Sequence, residues 1–133
     1  MHKGSCLCGS IAYEISGDLG SIIFCHCSRC RKANGSAFSA VSPVPTDNFR
    51  IIKGEEYLRD FSVDSGVHRF FCSNCASPII SKRDAMPHIV RVRIGTLDTS
   101  VNGAVSAHIF TGSKAEWYEI QDGQPQYEER API

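Results

Sequence analysis

The chain has no excess of either charge. Fourteen Lys and Arg balance fourteen Asp and Glu, so the formal net charge is zero with histidine neutral. A nucleic acid or an anionic membrane surface would find nothing here to steer toward, and neither is expected as a partner. No apolar run approaches the ~20 residues that cross a bilayer. The opening Met1-His2-Lys3-Gly4-Ser5-Cys6 has no apolar stretch after its charge. A secretory signal is therefore not expected, and the expected compartment is the cytosol. Helical periodicity is scarce, and there is no internal repeat or low-complexity segment. At 133 residues, 42% apolar and 21% charged, the chain can bury a real core. We expect a single domain over residues 1–133.

Short strands with turn signals between them make up most of the remaining pattern. Ile11, Tyr13 and Ile15 alternate with Ala12 and Glu14, which predicts a half-buried strand. Ser21-Ile22-Ile23-Phe24 predicts a buried strand that delivers Cys25. Ser28 is expected to N-cap a short helix through Arg29 to Asn34, with Gly35 as its stop. Alternation over 38–43 predicts another strand, ended by Pro43 and Pro45. Residues 49–53, 67–71, 78–81, 89–94 and 105–110 predict further strands, and 57–63 is ambiguous. Asp64-Ser65-Gly66 reads as a hairpin turn. In 89–94, Arg91 and Arg93 fall on the face opposite Val90, Val92 and Ile94. Trp117 is expected to pack inward from a turn over 114–118, and Glu128-Glu129-Arg130 to fray. Together these predict a mainly β fold with short helical turns.

The cysteines are arranged more tellingly than they are numerous. All seven fall into Cys6-x-Cys8, Cys25-x-Cys27-x2-Cys30 and Cys72-x2-Cys75. In a reducing compartment clustered thiols more often bind metal than form disulfides, and an odd count does not complete a disulfide framework. Cys6, Cys8, Cys72 and Cys75 suit a closed tetrahedral zinc site that staples the first strand to a later hairpin. An iron–sulfur cluster or buried free thiols are the alternatives. Cys25, Cys27 and Cys30 suit a zinc site with one exchangeable position. The alternatives are a structural site completed by His68, His88 or His108, and a redox pair with a spare thiol. His26 lies between two of the ligands and is expected to point away.

The ligand type bears on the chemistry. Three thiolates outweigh the charge of Zn²⁺ by one, which blunts its ability to acidify water. They leave an incoming thiolate electron-rich, while the metal still keeps it deprotonated. Activation of a thiol substrate is therefore expected, with Cys25, Cys27 and Cys30 as the working site. Phe71 precedes Cys72 and no Glu lies beside the triplet, so a zinc deaminase motif is absent. Arg29, Arg31 and Lys32 either offset thiolate charge, hold a substrate carboxylate, or are simply solvated.

Gly4-Ser5-Cys6-Leu7-Cys8-Gly9, Cys25-His26-Cys27-Ser28-Arg29-Cys30-Arg31-Lys32 and Phe71-Cys72-Ser73-Asn74-Cys75 resemble the glutathione-dependent formaldehyde-activating family. Gly95-Thr96-Leu97-Asp98, His108-Ile109-Phe110 and Trp117 match its later landmarks in the same order. The resemblance implies an Mss4-like, zinc-stapled β fold. It implies a carbon–sulfur lyase joining glutathione and formaldehyde to give S-hydroxymethylglutathione. It also implies two zinc ions per chain: a structural one on Cys6, Cys8, Cys72 and Cys75, and a catalytic one on Cys25, Cys27 and Cys30. Arg31, Asn34, Ser36 and Trp117 are candidates, from loop position, to grip glutathione. Ala76 stands where the family usually has Gly, so that turn is expected to be strained or reshaped, and the chain is shorter than the family's glutathione-acting founders. The other functional class is a zinc-stapled, Mss4-like protein-binding module without catalysis.

Overall fold

The structure is a computed structural model that describes residues 1–63 and 66–131. In chain order the strands are β1 (His2–Ser5), β2 (Ala12–Ile15), β3 (Ile22–Cys25), β4 (Ser39–Pro45), β5 (Phe49–Lys53), β6 (Leu58–Val63), β7 (Val67–Cys72), β8 (Pro78–Arg83), β9 (Met86–Arg93) and β10 (Val105–Ile109), with helix α1 (Ser28–Asn34) between β3 and β4. The mainly β architecture expected from the sequence is present. The chain groups into two compact units, residues 1–20 with 42–102 and residues 21–41 with 103–133.

In the first unit β2 pairs antiparallel with both β1 and β5, and β6 to β9 form an antiparallel meander. The alternation over 11–15 decides which side chains go inward. Ile11, Tyr13 and Ile15 are fully buried with Val44, Ile79, Val90 and Val92. Each such side chain contributes about 1.5–3 kcal/mol by leaving water. The Tyr13 hydroxyl keeps a partner in Thr96 Oγ1 at 2.6 Å. Cys6 and Cys72 belong to this same core.

Two expectations for this unit need correction. Arg93 does not face solvent: it is 6% exposed, and its Nη1 donates to Ser81 Oγ at 3.1 Å. Alternation assigns residues to faces but does not say whether the second face is covered. Pro43 and Pro45 do not end β4, which runs through both. Pairing with β3 uses only Ser39, Ala40 and Val41, so β3 asks no N–H of either proline. Strand β6 is present, which resolves the ambiguous 57–63. In the turn expected at 64–66, Asp64 and Ser65 lie outside the described residues.

In the second unit β3 pairs parallel with β10 and antiparallel with the start of β4. Ile22, Ile23 and Phe24 are half-buried and Cys25 is buried. Phe24 stacks on Phe38 with ring centroids 4.0 Å apart. The tail is not frayed. His108 N donates to Pro125 O at 2.9 Å, Tyr127 N to His108 O at 2.9 Å, and Phe110 N to Glu129 O at 2.8 Å. These bonds satisfy backbone groups of β10 and its exit that would otherwise go unpaired, and Tyr127 packs beside Cys25 and Ile109.

Candidate metal centres

The first centre is built on two turns. Strand β1 hands the chain to Cys6-Leu7-Cys8, which Gly9 closes at φ 78°, with Gly9 N donating to Cys6 O at 3.0 Å. Strand β7 ends at Cys72 and the chain turns through Cys75, with Ala76 N donating to Cys72 O at 2.8 Å. Leu7 N donates to Ser77 Oγ at 2.8 Å, tying the turns together. Two sulfurs also accept backbone N–H groups: Ile11 N to Cys6 Sγ at 3.2 Å and Asn74 N to Cys72 Sγ at 3.4 Å. Such bonds hold negative charge on sulfur and fix its direction. Ala76 has φ 66°, so the strain expected for a non-glycine at this place is real.

The four ligand atoms all lie within 4.8 Å of one another. Tetrahedral zinc with Zn–S bonds of ~2.3 Å sets its sulfurs about 3.8 Å apart. Cys6 Sγ–Cys8 Sγ is 3.6 Å and Cys8 Sγ–Cys72 Sγ is 3.9 Å, so the quartet fits that ion. The Ser10 hydroxyl, foremost, holds the Cys8 thiol down to about 5. The Ser77 hydroxyl does the same for Cys75, to about 7, while burial pushes Cys72 up to about 11. Cys8 and Cys75 on the rim are therefore easier to ionise than buried Cys72.

The second centre sits where β3 runs into α1. The helix opens on Cys27, not on Ser28 as expected: Cys27 has φ −63° and ψ 152°, and its Sγ accepts from Cys30 N at 3.2 Å. Serine's preference for the N-cap is overridden because the sulfur of Cys27 already fills the capping role. Gly35 ends the helix at φ 61°, as expected. Cys25 and Cys30 are buried and Cys27 is half-exposed. All three Sγ lie within 4.8 Å of one another, with Cys25 and Cys30 3.3 Å apart. Hydrogen bonds from Cys25 and Cys30 lower the Cys27 thiol pKa. The same contacts, with Cys27 first, raise that of Cys25. Of the three, Cys27 is the thiol whose ionisation these contacts favour, and the helix N-terminus adds to this.

Among the described residues no histidine joins either cluster. His68 is held between Asp60 Oδ2 at 2.7 Å and Asp84 Oδ1 at 2.8 Å, and His88 is exposed on β9. The described triplet thus offers three candidate protein ligands where the quartet offers four. Both clusters can hold a metal ion, and their sulfur ligands suit zinc.

The model of the family described as glutathione-dependent formaldehyde-activating enzyme matches residues 1–113. The chain belongs to this family. A Halomonas elongata protein provisionally named for the family's activity is 25% identical over 90% of this chain and 80% of its own length. An Aspergillus flavus protein of the same provisional name is 24% identical over 87% of this chain. The match spans 56% of that relative, little more than half its length. A crystal structure of a Rhodobacter sphaeroides protein has the same fold, with a TM-score of 0.65 and 22% identity over 77% of this chain and 96% of that one.

Of the residues proposed to grip a substrate in this family member, Arg31 is half-buried with its Nε lacking a hydrogen-bond partner. Asn34 Nδ2 is turned to Phe38 O at 3.4 Å, and Ser36 is exposed. Trp117 is 75% exposed, so the inward packing expected of it is wrong. The neighbouring Tyr118 takes that place, with its ring 5.4 Å from Phe38 and 6.0 Å from His26. The turn that separates the two is held by Lys114 Nζ, which donates to Ala115 O at 3.0 Å and to Tyr118 O.

The sequence reading missed a buried chain of polar groups. His26 does turn away from the cysteines: its Nε2 meets His108 Nδ1 at 2.8 Å, and His108 Nε2 meets Asp122 Oδ2 at 2.8 Å. Both rings are fully buried. Burial, then the neighbouring His108 and Lys114, hold the His26 pKa down to about 4, so this ring is neutral near pH 7. A histidine inside the apolar run 105–110 was the available signal, because a buried ring nitrogen needs a partner.

Proposed function

We propose that the chain is a zinc-dependent carbon–sulfur lyase that joins glutathione, or a closely related thiol, to formaldehyde, giving S-hydroxymethylglutathione. On this reading it is one domain that works in the cytosol with two zinc ions. Cys6, Cys8, Cys72 and Cys75 hold the structural ion, and Cys25, Cys27 and Cys30 the catalytic one. The observation that carries the reading is the contrast between four sulfurs gathered at one centre and three at the other, in a member of this family.

A zinc held by the triplet would supply the positive charge that keeps an incoming thiol deprotonated at neutral pH. The protein's part is to hold and orient. Cys25 and Cys30 form a buried floor, and half-exposed Cys27 marks the open side. Arg31 offers its unpartnered Nε to a carboxylate of glutathione. The thiol gives up its proton, and its sulfur forms a bond to the formaldehyde carbon. The carbonyl electron pair moves to oxygen, which takes a proton from solvent. The product is a neutral thioether, which a zinc at the triplet would hold less strongly than a thiolate.

A second reading, the zinc-stapled binding module, draws on the exposure of Trp117. One experiment separates the two. Cobalt is placed at the triplet and glutathione is added. Growth of thiolate-to-cobalt charge-transfer bands, with faster formation of S-hydroxymethylglutathione than in buffer, supports the enzyme. A spectrum indifferent to glutathione and other small thiols favours the binding module.

A further inference from the structure

We propose that Asp122 and His108 are positioning residues for the three-cysteine centre, acting through His26. The inference rests on the zinc reading of that centre and adds residues to it. A carboxylate only accepts, so Asp122 Oδ2 must take its hydrogen bond from His108 Nε2–H. His108 Nδ1 and His26 Nε2 share the next hydrogen bond, at 2.8 Å. The chain thus runs unbroken from Asp122 to His26. His26 Nδ1 lies outside it, buried with no protein partner.

The chain is anchored at its outer end. Asp122 Oδ1 accepts from Gln124 N at 3.0 Å, and the backbone N–H and C=O of His108 bond Pro125 and Tyr127. At its inner end it fixes one residue twice over: the ring of His26 is held by His108, and its backbone N donates to Ile109 O at 2.9 Å. Residue 26 is the single spacer between Cys25 and Cys27. Locking its ring and its N–H restricts both flanking peptide planes, and with them the directions of the two sulfurs. Phe38 and Tyr118 close over the ring at 5.4 and 6.0 Å. Backbone N–H groups hold Cys6, Cys72 and Cys27; this chain does the corresponding work for the spacer between Cys25 and Cys27.

The test uses the full chain loaded with zinc or cobalt. Asp122 is partly exposed, so Asp122→Ala should fold, and Asp122→Asn keeps an oxygen that accepts from His108. Nitrogen-15 NMR of the histidine rings should show His108 carrying a proton on Nε2 in the wild type and mixed tautomers in Asp122→Ala. Metal at the triplet should be lost from Asp122→Ala at about ten-fold lower chelator, the scale of ligand-orienting hydrogen bonds. The cobalt bands should shift, Asp122→Asn should restore most of the effect, and release from the quartet should not change. Unchanged tautomers in Asp122→Ala, or mixed tautomers with unchanged triplet release, would overturn the positioning role alone. A wild-type chain that holds only one metal would overturn the zinc reading of the triplet and this role with it.

Discussion

Around Cys6, Cys8, Cys72 and Cys75 order comes from two tight turns and their serine hydroxyls; around Cys25, Cys27 and Cys30 it comes from a helix end and a buried histidine pair. The quartet shares its core with Tyr13, Ile15, Val90 and Val92, and two of its sulfurs accept N–H groups from their own turns. The triplet packs on a smaller cluster with Ile23, Ile109, Phe110 and Tyr127. One of its sulfurs is a helix cap, and the residue between two of its ligands is moored to a histidine on β10. A centre wired into the main core cannot lose a ligand without loosening that core. A centre hung on a strand end and a helix start can change its ligands at smaller cost, which suits the exchangeable position proposed for it.

The largest expected difference follows directly. Cys72→Ser should abolish a cooperative melt, because binding energies of about 10–16 kcal/mol at structural zinc sites act as folding energy. Cys27→Ser should leave a folded chain with weakened metal at the triplet, because a serine hydroxyl also caps a helix. Cys27→Ala, which loses ligand and cap together, should lie about 1 kcal/mol below it. Thermal melts with metal analysis of the three purified variants check this. Equal, severe unfolding in all three would erase the distinction between the centres.

A smaller effect tests the two turns in left-handed backbone. Gly35 at φ 61° closes α1, whereas Ala76 at φ 66° follows the last ligand of the quartet. Ala76→Gly should stabilise by about 1 kcal/mol, and Gly35→Ala should destabilise by a similar amount. Melts of both variants in zinc decide it, and a loss of stability in Ala76→Gly would contradict the strain at that turn.

The smallest effect concerns the two histidine arrangements. His68 lies between two carboxylates, and both ring nitrogens can donate only when the ring is charged. Its pKa is raised, chiefly by the hydrogen bond to Asp60 and then by Asp84. The stability it contributes is therefore full below the ordinary histidine value of about 6.5 and fades as pH rises through the raised folded value. Comparing the melting temperatures of wild type and His68→Gln across that range checks the sign. The gap between them should narrow with rising pH, and a gap that widens contradicts it.

Much of this was legible in the residues. Alternation over 11–15 identified the buried face of β2, and cysteine spacing picked out both clusters before their sulfurs were seen together. What escaped depended on contacts between distant segments. Trp117 and Tyr118 are adjacent aromatics in one turn, and only the position of Phe38 decides which of them goes inward. Alternation put Arg93 on the second face of β9, but the cover over that face and the hydroxyl of Ser81 come from elsewhere in the chain. The tail is polar and reads as loose; its order comes from backbone groups of β10 and its exit, which carry no side-chain signature.

The parallel pairing of β3 with β10 has a consequence for the newborn chain. Cys25, Cys27 and Cys30 leave the ribosome well before Cys72 and Cys75, yet their surroundings are finished later. The strand beside Cys25 and the segment that bonds Phe110 N through Glu129 O are made after all seven cysteines. At ~5–20 residues per second, roughly 3–11 s separate the synthesis of Cys75 from that of Glu129. The quartet can gather its four sulfurs while translation continues. The three thiols of the triplet spend that interval without their scaffold, exposed to oxidants and to the wrong metals. For this protein, order of synthesis and order of completion run in opposite directions.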